Sequence, residues 1–302
     1  MTLNTVELQK KFGKNLLVKE GLSKYSWFNL GGPADIFFRP ENKDQLVNFL
    51  NEIKQNNYKI FILGAGSNTL IRDAGIKGVV IKLSSKFSHM KLIEKDTIEV
   101  GASTLDKKVS DFAKNNDISG MEFLSCIPGS IGGAVIMNSG CYGSDISKIL
   151  SSIKVIDGER KEKIIRNDEI RFHYRGSNLP QDYIILSVTL KGTISSKKLI
   201  EEKQEELIQQ KKASQPSQIK TGGSTFKNNG DKKAWMLIKE SGCERFHVGD
   251  AKISEKHCNF FVNDGKAKTS DVEELISKVR REVKIKTGVS LELEIKIIGD
   301  EK

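Results

Sequence analysis

Phe123-Leu124-Ser125-Cys126-Ile127-Pro128-Gly129-Ser130-Ile131-Gly132-Gly133-Ala134-Val135-Ile136-Met137-Asn138-Ser139-Gly140 sets Gly129, Gly132, Gly133 and Gly140 among small and apolar residues, with a single side-chain amide at Asn138. Flexible linkers of such glycine content are usually hydrophilic, and this run is not. It reads as buried backbone pressed close to something flat or anionic. Glycine serves where a chain must approach a ligand or adopt positive φ. A tight turn inside a core is the competing reading.

A second glycine loop lies upstream. Tyr58-Lys59-Ile60-Phe61-Ile62-Leu63 is a short apolar run with β-branched and aromatic residues, which predicts a buried strand. It leads into Gly64-Ala65-Gly66-Ser67-Asn68, where consecutive N–H groups can form an anion-binding nest and Ser67 and Asn68 add polar side chains. The loop is neither the dinucleotide fingerprint G-x-G-x-x-G, because Thr69 occupies the third-glycine position, nor a P-loop, because no Gly-Lys-Ser/Thr follows. Two such loops can hold two ends of one extended ligand.

The chain has 302 residues, enough for two domains with proper cores. No apolar run approaches the length of a membrane span. The N-terminus shows no basic region followed by an apolar stretch, so no secretory signal is expected. Cys126, Cys141, Cys243 and Cys258 form no C-x-x-C pair. They point to a reduced, cytosolic chain without a zinc site, in which Cys126 and Cys141 serve as small buried hydrophobes. The formal net charge of +10 invites a nucleic-acid reading. The excess is mostly lysine spread along the chain, whereas base readout favours arginine forks. A solvated basic surface, or steering of small anions into a cleft, fits better. His89, His173, His247 and His257 lack metal-ligand spacing.

Apolar spacing predicts a helix over Asn42 to Asn57, and strands over Gly78 to Leu83 and Thr97 to Val100. A helix carrying Leu105, Val109, Phe112 and Ala113 follows, with Ser103 or Thr104 as its cap. Strands are expected at Ser152–Ile156, Glu162–Ile165 and Tyr183–Leu190. An exposed amphipathic helix from Ser196 to Lys212 ends at Ser214-Gln215-Pro216, the candidate domain boundary. Beyond it come a loop over 221–230, a helix near 232–241, a strand at 259–263, a helix over 269–287 opened by Ser270 with early acids, and a strand from Leu291 to Ile298. Strict alternation there puts Glu292 and Glu294 on one face.

Thr221-Gly222-Gly223-Ser224-Thr225-Phe226-Lys227-Asn228 joins glycines to hydroxyls, a base and an amide. Ser224 behind two glycines suits a proton donor or nucleophile beside Lys227, or a simple ST-turn. No G-x-S-x-G elbow supports an acyl-transfer triad. Arg171-Phe172-His173-Tyr174-Arg175-Gly176-Ser177 mixes aromatics with two arginines, which fits a surface loop with a salt bridge.

Together these segments resemble one family, the UDP-N-acetylenolpyruvoylglucosamine reductases (UDP-N-acetylmuramate dehydrogenases), flavoenzymes of bacterial peptidoglycan precursor synthesis. The resemblance rests on Trp27-Phe28-Asn29-Leu30-Gly31-Gly32-Pro33-Ala34, Leu63 to Asn68, Gly120 to Gly143, Tyr174-Arg175, Gly223 to Asn228, Ser254-Glu255-Lys256-His257 and the terminal stretch through Glu294 to Gly299. The pieces come in family order and cover nearly the whole chain. The short gap between Ser177 and Tyr183 resembles the family's second type. Asn29, Ala65 and Cys141 depart from residues common in the family.

The resemblance implies an α+β fold. Its FAD-binding module, residues 1–198, has two subdomains split near 85 and is similar to vanillyl-alcohol-oxidase-like flavoproteins. A C-terminal substrate domain spans 199–302. FAD's pyrophosphate lies on Gly64, Ala65, Gly66, Ser67 and Asn68, with Pro128, Gly129, Gly132, Gly133, Asn138 and Gly140 against the ribityl and ring region. NADPH reduces FAD, whose N5 then passes hydride to the enolpyruvyl carbon of the UDP-sugar. Arg175 stabilises the developing charge, Ser224 donates the proton, and a buried Glu294 polarises and orients the intermediate. Lys227 and Asn228 bind substrate, and Lys227 or ordered water assists Ser224. A monomeric, cytoplasmic enzyme without a metal is implied. A flavin oxidase of the same superfamily and a basic, non-catalytic nucleic-acid-binding protein are the rivals.

Overall fold

The computed structural model describes residues 5–54 and 58–301. Two compact units form: Met1–Val18, Ile36–Ala65 and Gly78–Lys211 make the first, and Lys19–Asp35, Gly66–Lys77 and Lys212–Lys302 the second. The architecture mixes helices with largely antiparallel sheets, so the class is α+β as expected. Among the described residues no helix is long and apolar enough to cross a membrane.

The first unit holds two cores. The earlier one packs the helix Lys43–Glu52 through Leu46, Phe49 and Leu50. Asn42 starts this helix, its Oδ1 accepting the Gln45 N–H at 2.8 Å, which satisfies one of the free donors of the first turn. The sequence-predicted end of this helix, residues 55–57, lies outside the described residues. Phe38 and Phe49 stack with centroids 4.0 Å apart, and Phe12 meets both edge-on. Ile60–Ile62 pairs in parallel with Ile76–Ile81, Ile60 opposite Val79.

The second core lies on a five-stranded antiparallel sheet ordered Glu162–Arg166, Leu150–Ile156, Ile184–Lys191, Thr97–Gly101, Met90–Glu94. Ile98, Val100, Val188 and Leu190 from its central strands pack against Val109 and Ala113 of the helix Asp106–Asn115. Ile131, Ala134 and Val135 of the short helix Ile131–Ile136 join the same core.

In the second unit the helix Thr269–Thr287 buries Val272, Leu275, Ile276, Val279 and Val283, the three-to-four spacing of an amphipathic face. It stops at Gly288, where φ of +72° gives the left-handed turn that ends many helices. The sheet order is Lys220–Ser224, Phe260–Asn263, Ala251–Ile253, His247–Val248. Lys296–Ile298 pairs in parallel with Thr69–Ile71.

Several local expectations are corrected. The stretch at 60–62 is an edge strand, and Ile60 and Ile62 stay more than a third exposed rather than buried. The helix after Gly101 is capped by neither hydroxyl: Leu105 is its N-cap, Ser103 Oγ donates to the Ser84 carbonyl, and Thr104 Oγ1 to that of His89. Lys268, not Ser270, opens the long C-terminal helix, with Asp271 accepting the Lys268 N–H at 2.8 Å. Part of the supposed loop 221–230 is the strand Lys220–Ser224, with Thr221 opposite Val262. Only Lys296–Ile298 of the terminal alternating run joins a ladder.

Candidate active site

The two glycine segments meet within the first unit. A Cβ built on Gly64 would come within 2.8 Å of Ser130 Oγ, so a side chain there would push the hydroxyl aside. Lys82 Nζ donates to the Gly64 carbonyl and thereby anchors this end of the loop. Burial, with the nearby Arg39 charge, brings the Lys82 ammonium down to about 8.

Backbone bonds fix the other segment from below. The Asp106 N–H donates to the Gly129 carbonyl at 3.1 Å, the Ile131 N–H to that of Thr104 at 2.9 Å and the Gly132 N–H to that of Ala102 at 3.0 Å. The Asp106 carboxyl lies against Gly129, with Oδ2 only 2.5 Å from where a Cβ would sit. It is fully buried, and neither oxygen has a hydrogen-bond partner among the described residues. Burial pushes its pKa well above the ordinary carboxylate range. On Gly133 a Cβ would find only Ser130 Oγ, at 3.6 Å.

Asn138 is buried at a positive φ of 41°. Its Nδ2 donates to the His173 carbonyl at 3.3 Å, and its Oδ1 accepts the Ser147 N–H at 3.0 Å. The glycine segment is thereby tied to the hairpin Phe172–His173 and Gly176–Ser177. Tyr174 and Arg175 form its two-residue tip. Arg175 has φ of +59°, a left-handed conformation uncommon for a residue with a side chain, and such strain clusters at functional sites. Its guanidinium lies over the Tyr174 ring, 4.8 Å from the centroid.

Gly64 and Ala65 belong to the first unit, and Gly66, Ser67 and Asn68 to the second, as do Ser224, Lys227, Asn228 and Glu294. Gly66 has φ of +72°, and its would-be Cβ would strike the Tyr25 carbonyl at 1.9 Å. The Ser224 and Glu294 segments run side by side. Phe226 and Leu293 form an antiparallel bridge, the Glu294 N–H donates to the Thr225 carbonyl at 2.8 Å, and the Lys227 N–H to that of Glu292 at 2.8 Å. Asn68 Nδ2 donates to the Glu294 carbonyl at 3.1 Å, which ties Asn68 to the Glu294 segment within the second unit. Glu294 is half-buried, whereas Glu292 is exposed and stands 3.6 Å from Lys227 Nζ. Asn228 spends its Oδ1 on the Ala234 N–H at 3.0 Å, at the start of the helix Ala234–Glu240.

Sequence reading missed the groups that hold these segments. Asn259 is buried and staples Phe226 on both sides: Oδ1 accepts the Phe226 N–H at 2.9 Å, and Nδ2 donates to the Phe226 carbonyl at 2.8 Å. His257 Nδ1 in turn accepts the Asn259 N–H at 3.2 Å, and burial holds the imidazole pKa below its ordinary value. Lys82 and Asp106 were also missed. The one signal for Asn259 was a lone amide ahead of Phe260 and Phe261.

The comparisons with known proteins bear on this geometry. Residues 215–298 match the model for the UDP-N-acetylenolpyruvoylglucosamine reductase C-terminal domain, and residues 34–165 match a FAD binding domain. The UDP-N-acetylenolpyruvoylglucosamine reductase of Pelagibacter ubique is 46% identical over 97% of this chain and 99% of its own length. The chain belongs to the UDP-N-acetylenolpyruvoylglucosamine reductase family. The reductase of Gluconobacter oxydans is 43% identical over 92% of this chain and 90% of its own length. The crystal structure of the Thermus caldophilus reductase superposes with a TM-score of 0.81 at 33% identity, covering 93% of this chain and 97% of that one.

For FAD, the chemistry of a reductase of this family, the residues fit. The segment that includes Gly129, Gly132 and Gly133 is packed on one side by Ala102 and Asp106, while a Cβ on Gly133 would meet only the Ser130 hydroxyl. Backbone amides, hydroxyls and amides of this kind suit a diphosphate and a flat ring.

Proposed function

We propose that this reductase converts UDP-N-acetyl-3-O-(1-carboxyvinyl)-glucosamine to UDP-N-acetylmuramate, with FAD resident and NADPH as the electron source. The observation that carries the reading is the bridge that runs Ser224-Thr225-Phe226 beside Glu294. It supports a proton donor and a carboxylate acting on one substrate. FAD, when bound, supplies the hydride. It is held by Gly64 to Asn68 and by Pro128, Gly129, Gly132, Gly133, Asn138 and Gly140. Hydride arrival at the terminal carbon leaves negative charge on its neighbour, which spreads into the substrate carboxylate. Arg175 places a fixed cation against that charge, and its strained tip conformation fits a preorganised role. Ser224 gives the proton that completes the product. Glu294 orients and polarises the intermediate, and Lys227 and Asn228 hold the substrate. Residues 1–198 carry FAD and 199–302 the substrate. The enzyme works as a cytoplasmic monomer in peptidoglycan precursor synthesis.

The test is turnover of purified holoenzyme with NADPH or NADH, with and without the enolpyruvyl sugar nucleotide. Oxidation of NADPH that requires the sugar nucleotide is the expected result. Oxidation that proceeds equally with oxygen alone would favour an oxidase.

A further inference from the structure

The ring of His257 lies where both ends of the stretch from Ser224 to Asn228 converge. Phe260, opposite Ser224 in the strand ladder, meets the imidazole edge-on with centroids 4.8 Å apart. Trp235 tilts against it at 6.4 Å, one residue after Ala234, whose N–H is taken by Asn228 Oδ1. The turn that carries the ring is closed by the His257 N–H on the Ser254 carbonyl at 3.3 Å and the Phe260 N–H on the His257 carbonyl at 2.9 Å. The ring's Nδ1 accepts the backbone N–H of Asn259 at 3.2 Å. Asn259 in turn makes three bonds to the middle of the stretch. Its carbonyl accepts the Thr225 N–H at 2.7 Å, its Oδ1 accepts the Phe226 N–H and its Nδ2 donates to the Phe226 carbonyl. The Thr225 carbonyl accepts the Glu294 N–H. All of these residues belong to the second unit.

We propose that His257 is a positioning residue for the proton donor Ser224, acting through Asn259 and Phe260: the neutral ring holds the Ser224–Phe226 segment, and protonation of the ring releases it. An imidazole accepts at Nδ1 only while that nitrogen is bare, whereas the imidazolium donates from both nitrogens. Acid therefore sets an N–H of the ring against the N–H of Asn259. Asn259 is buried, so its N–H loses the partner it had. The bonds from Asn259 to Thr225 and Phe226 are disturbed together, and Ser224 moves with them. The titratable groups on the ring's own turn are Glu255, Lys256 and Cys258, and those on the helix that carries Trp235 are Lys239 and Glu240. The strand Phe260–Asn263 has none, and Lys256 Nζ is spent on the Lys212 carbonyl at 2.6 Å. None of these charges sets the imidazole pKa, which burial lowers against a weaker pull from the ring's own backbone. Release thus falls on the acid side of the ordinary histidine value of about 6.5. The effect on proton delivery rests on the function proposed above, whereas the coupling of the ring to the Phe226 amide does not.

The test follows holoenzyme from about pH 5 to 8, the range over which histidine titrates. Thr225-Phe226 is the only Thr-Phe step in the chain, so carbon-13 on threonine carbonyls and nitrogen-15 on phenylalanine amides isolate the Phe226 amide by NMR. That resonance should titrate with the imidazole in the wild type. It should stay fixed in His257→Asn, whose Oδ1 offers an acceptor that does not titrate. In stopped flow, flavin reoxidation by the enolpyruvyl sugar nucleotide should fall about tenfold per pH unit below the same midpoint, and bleaching by NADPH should not share it. At neutral pH His257→Ala should lose about 10- to 100-fold in reoxidation, the scale of a misplaced reacting group, and His257→Asn should regain most of it. A Phe226 amide that does not titrate overturns the proposal. So does an acid limb in His257→Asn like that of the wild type, or reoxidation in His257→Ala as fast as in the wild type. Should both variants fail to fold, the wild type decides alone, and separate midpoints for the amide and for reoxidation overturn the proposal. A failed reductase reading shows instead as no reoxidation by the sugar nucleotide at neutral pH, and the Phe226 titration then decides the coupling.

Discussion

Arg175→Gly should make the protein more stable than Arg175→Ala while both lose activity. Arg175 sits at φ of +59° on the tip of its hairpin. A left-handed residue with a Cβ costs about 1–2 kcal/mol. Glycine removes that cost but loosens the unfolded chain by about 0.4–1 kcal/mol. The net advantage of glycine over alanine is about 0.5–1 kcal/mol. The cation–π contact with Tyr174 is lost in both variants, so it cancels from the comparison. For a domain of this size the gain corresponds to about 1–3 °C in Tm. Loss of a preorganised charge at the reacting centre should lower kcat by about 100- to 1000-fold in either variant. Thermal melts of the three proteins, run beside NADPH turnover, read both effects. Coincident melts of the glycine and alanine variants would refute the strain reasoning. Near-native turnover in either would refute the role of Arg175.

Three other perturbations test the supporting groups. Lys82, held near pKa 8 in the fold against about 10.4 in an unfolded chain, binds fewer protons when folded, so its contribution to stability grows as pH rises from about 8 to 10.4. Its charge on the Gly64 loop favours an anionic cofactor, so FAD affinity should fall as pH rises through about 8, and Lys82→Met should weaken binding and flatten that profile in fluorescence titrations. Asp106 has a raised folded pKa, so stability should be lost as pH rises from the unfolded carboxylate value of about 3.9 toward the folded one, with a slope approaching 1.4 kcal/mol per pH unit; urea melts of Asp106→Asn from pH 4 to 7 should lack that slope, and an unchanged slope would reassign it. Asn259→Ala leaves the buried N–H and carbonyl of Phe226 unpaired and should cost about 2–5 kcal/mol in denaturant melts, a cost below 1 kcal/mol showing that the staple is dispensable.

What could be read from the chain follows physical lines. The helix Thr269–Thr287 was legible to the residue because one apolar face repeats through five buried positions. The glycine segments stood out because glycine among apolar neighbours is unusual, but the helix Ile131–Ile136 inside the later one was not legible. The strand Lys220–Ser224 was not, since Gly222 and Gly223 lack strand propensity. Their reason is tertiary: a Cβ on Gly222 would lie 2.4 Å from the Phe28 ring. The alternation from Leu291 to Ile297 was visible, but it could not show that Leu293 pairs with Phe226 rather than continuing a ladder. Arg175 and Ser224 are candidates through family pattern alone. The tie from Asn138 to His173 and the burial of Asp106 against Gly129 arise from contacts distant in sequence, which no local signal carries.

The most direct test of the reductase reading is anaerobic stopped-flow absorbance of the holoenzyme, mixed first with NADPH and then with the enolpyruvyl sugar nucleotide. The flavin band should bleach on the first mixing and recover on the second, and Ser224→Ala should leave the first rate unchanged while slowing recovery by about 100-fold or more. Recovery that needs oxygen rather than the sugar nucleotide, or that proceeds at the same rate in Ser224→Ala, would contradict the account.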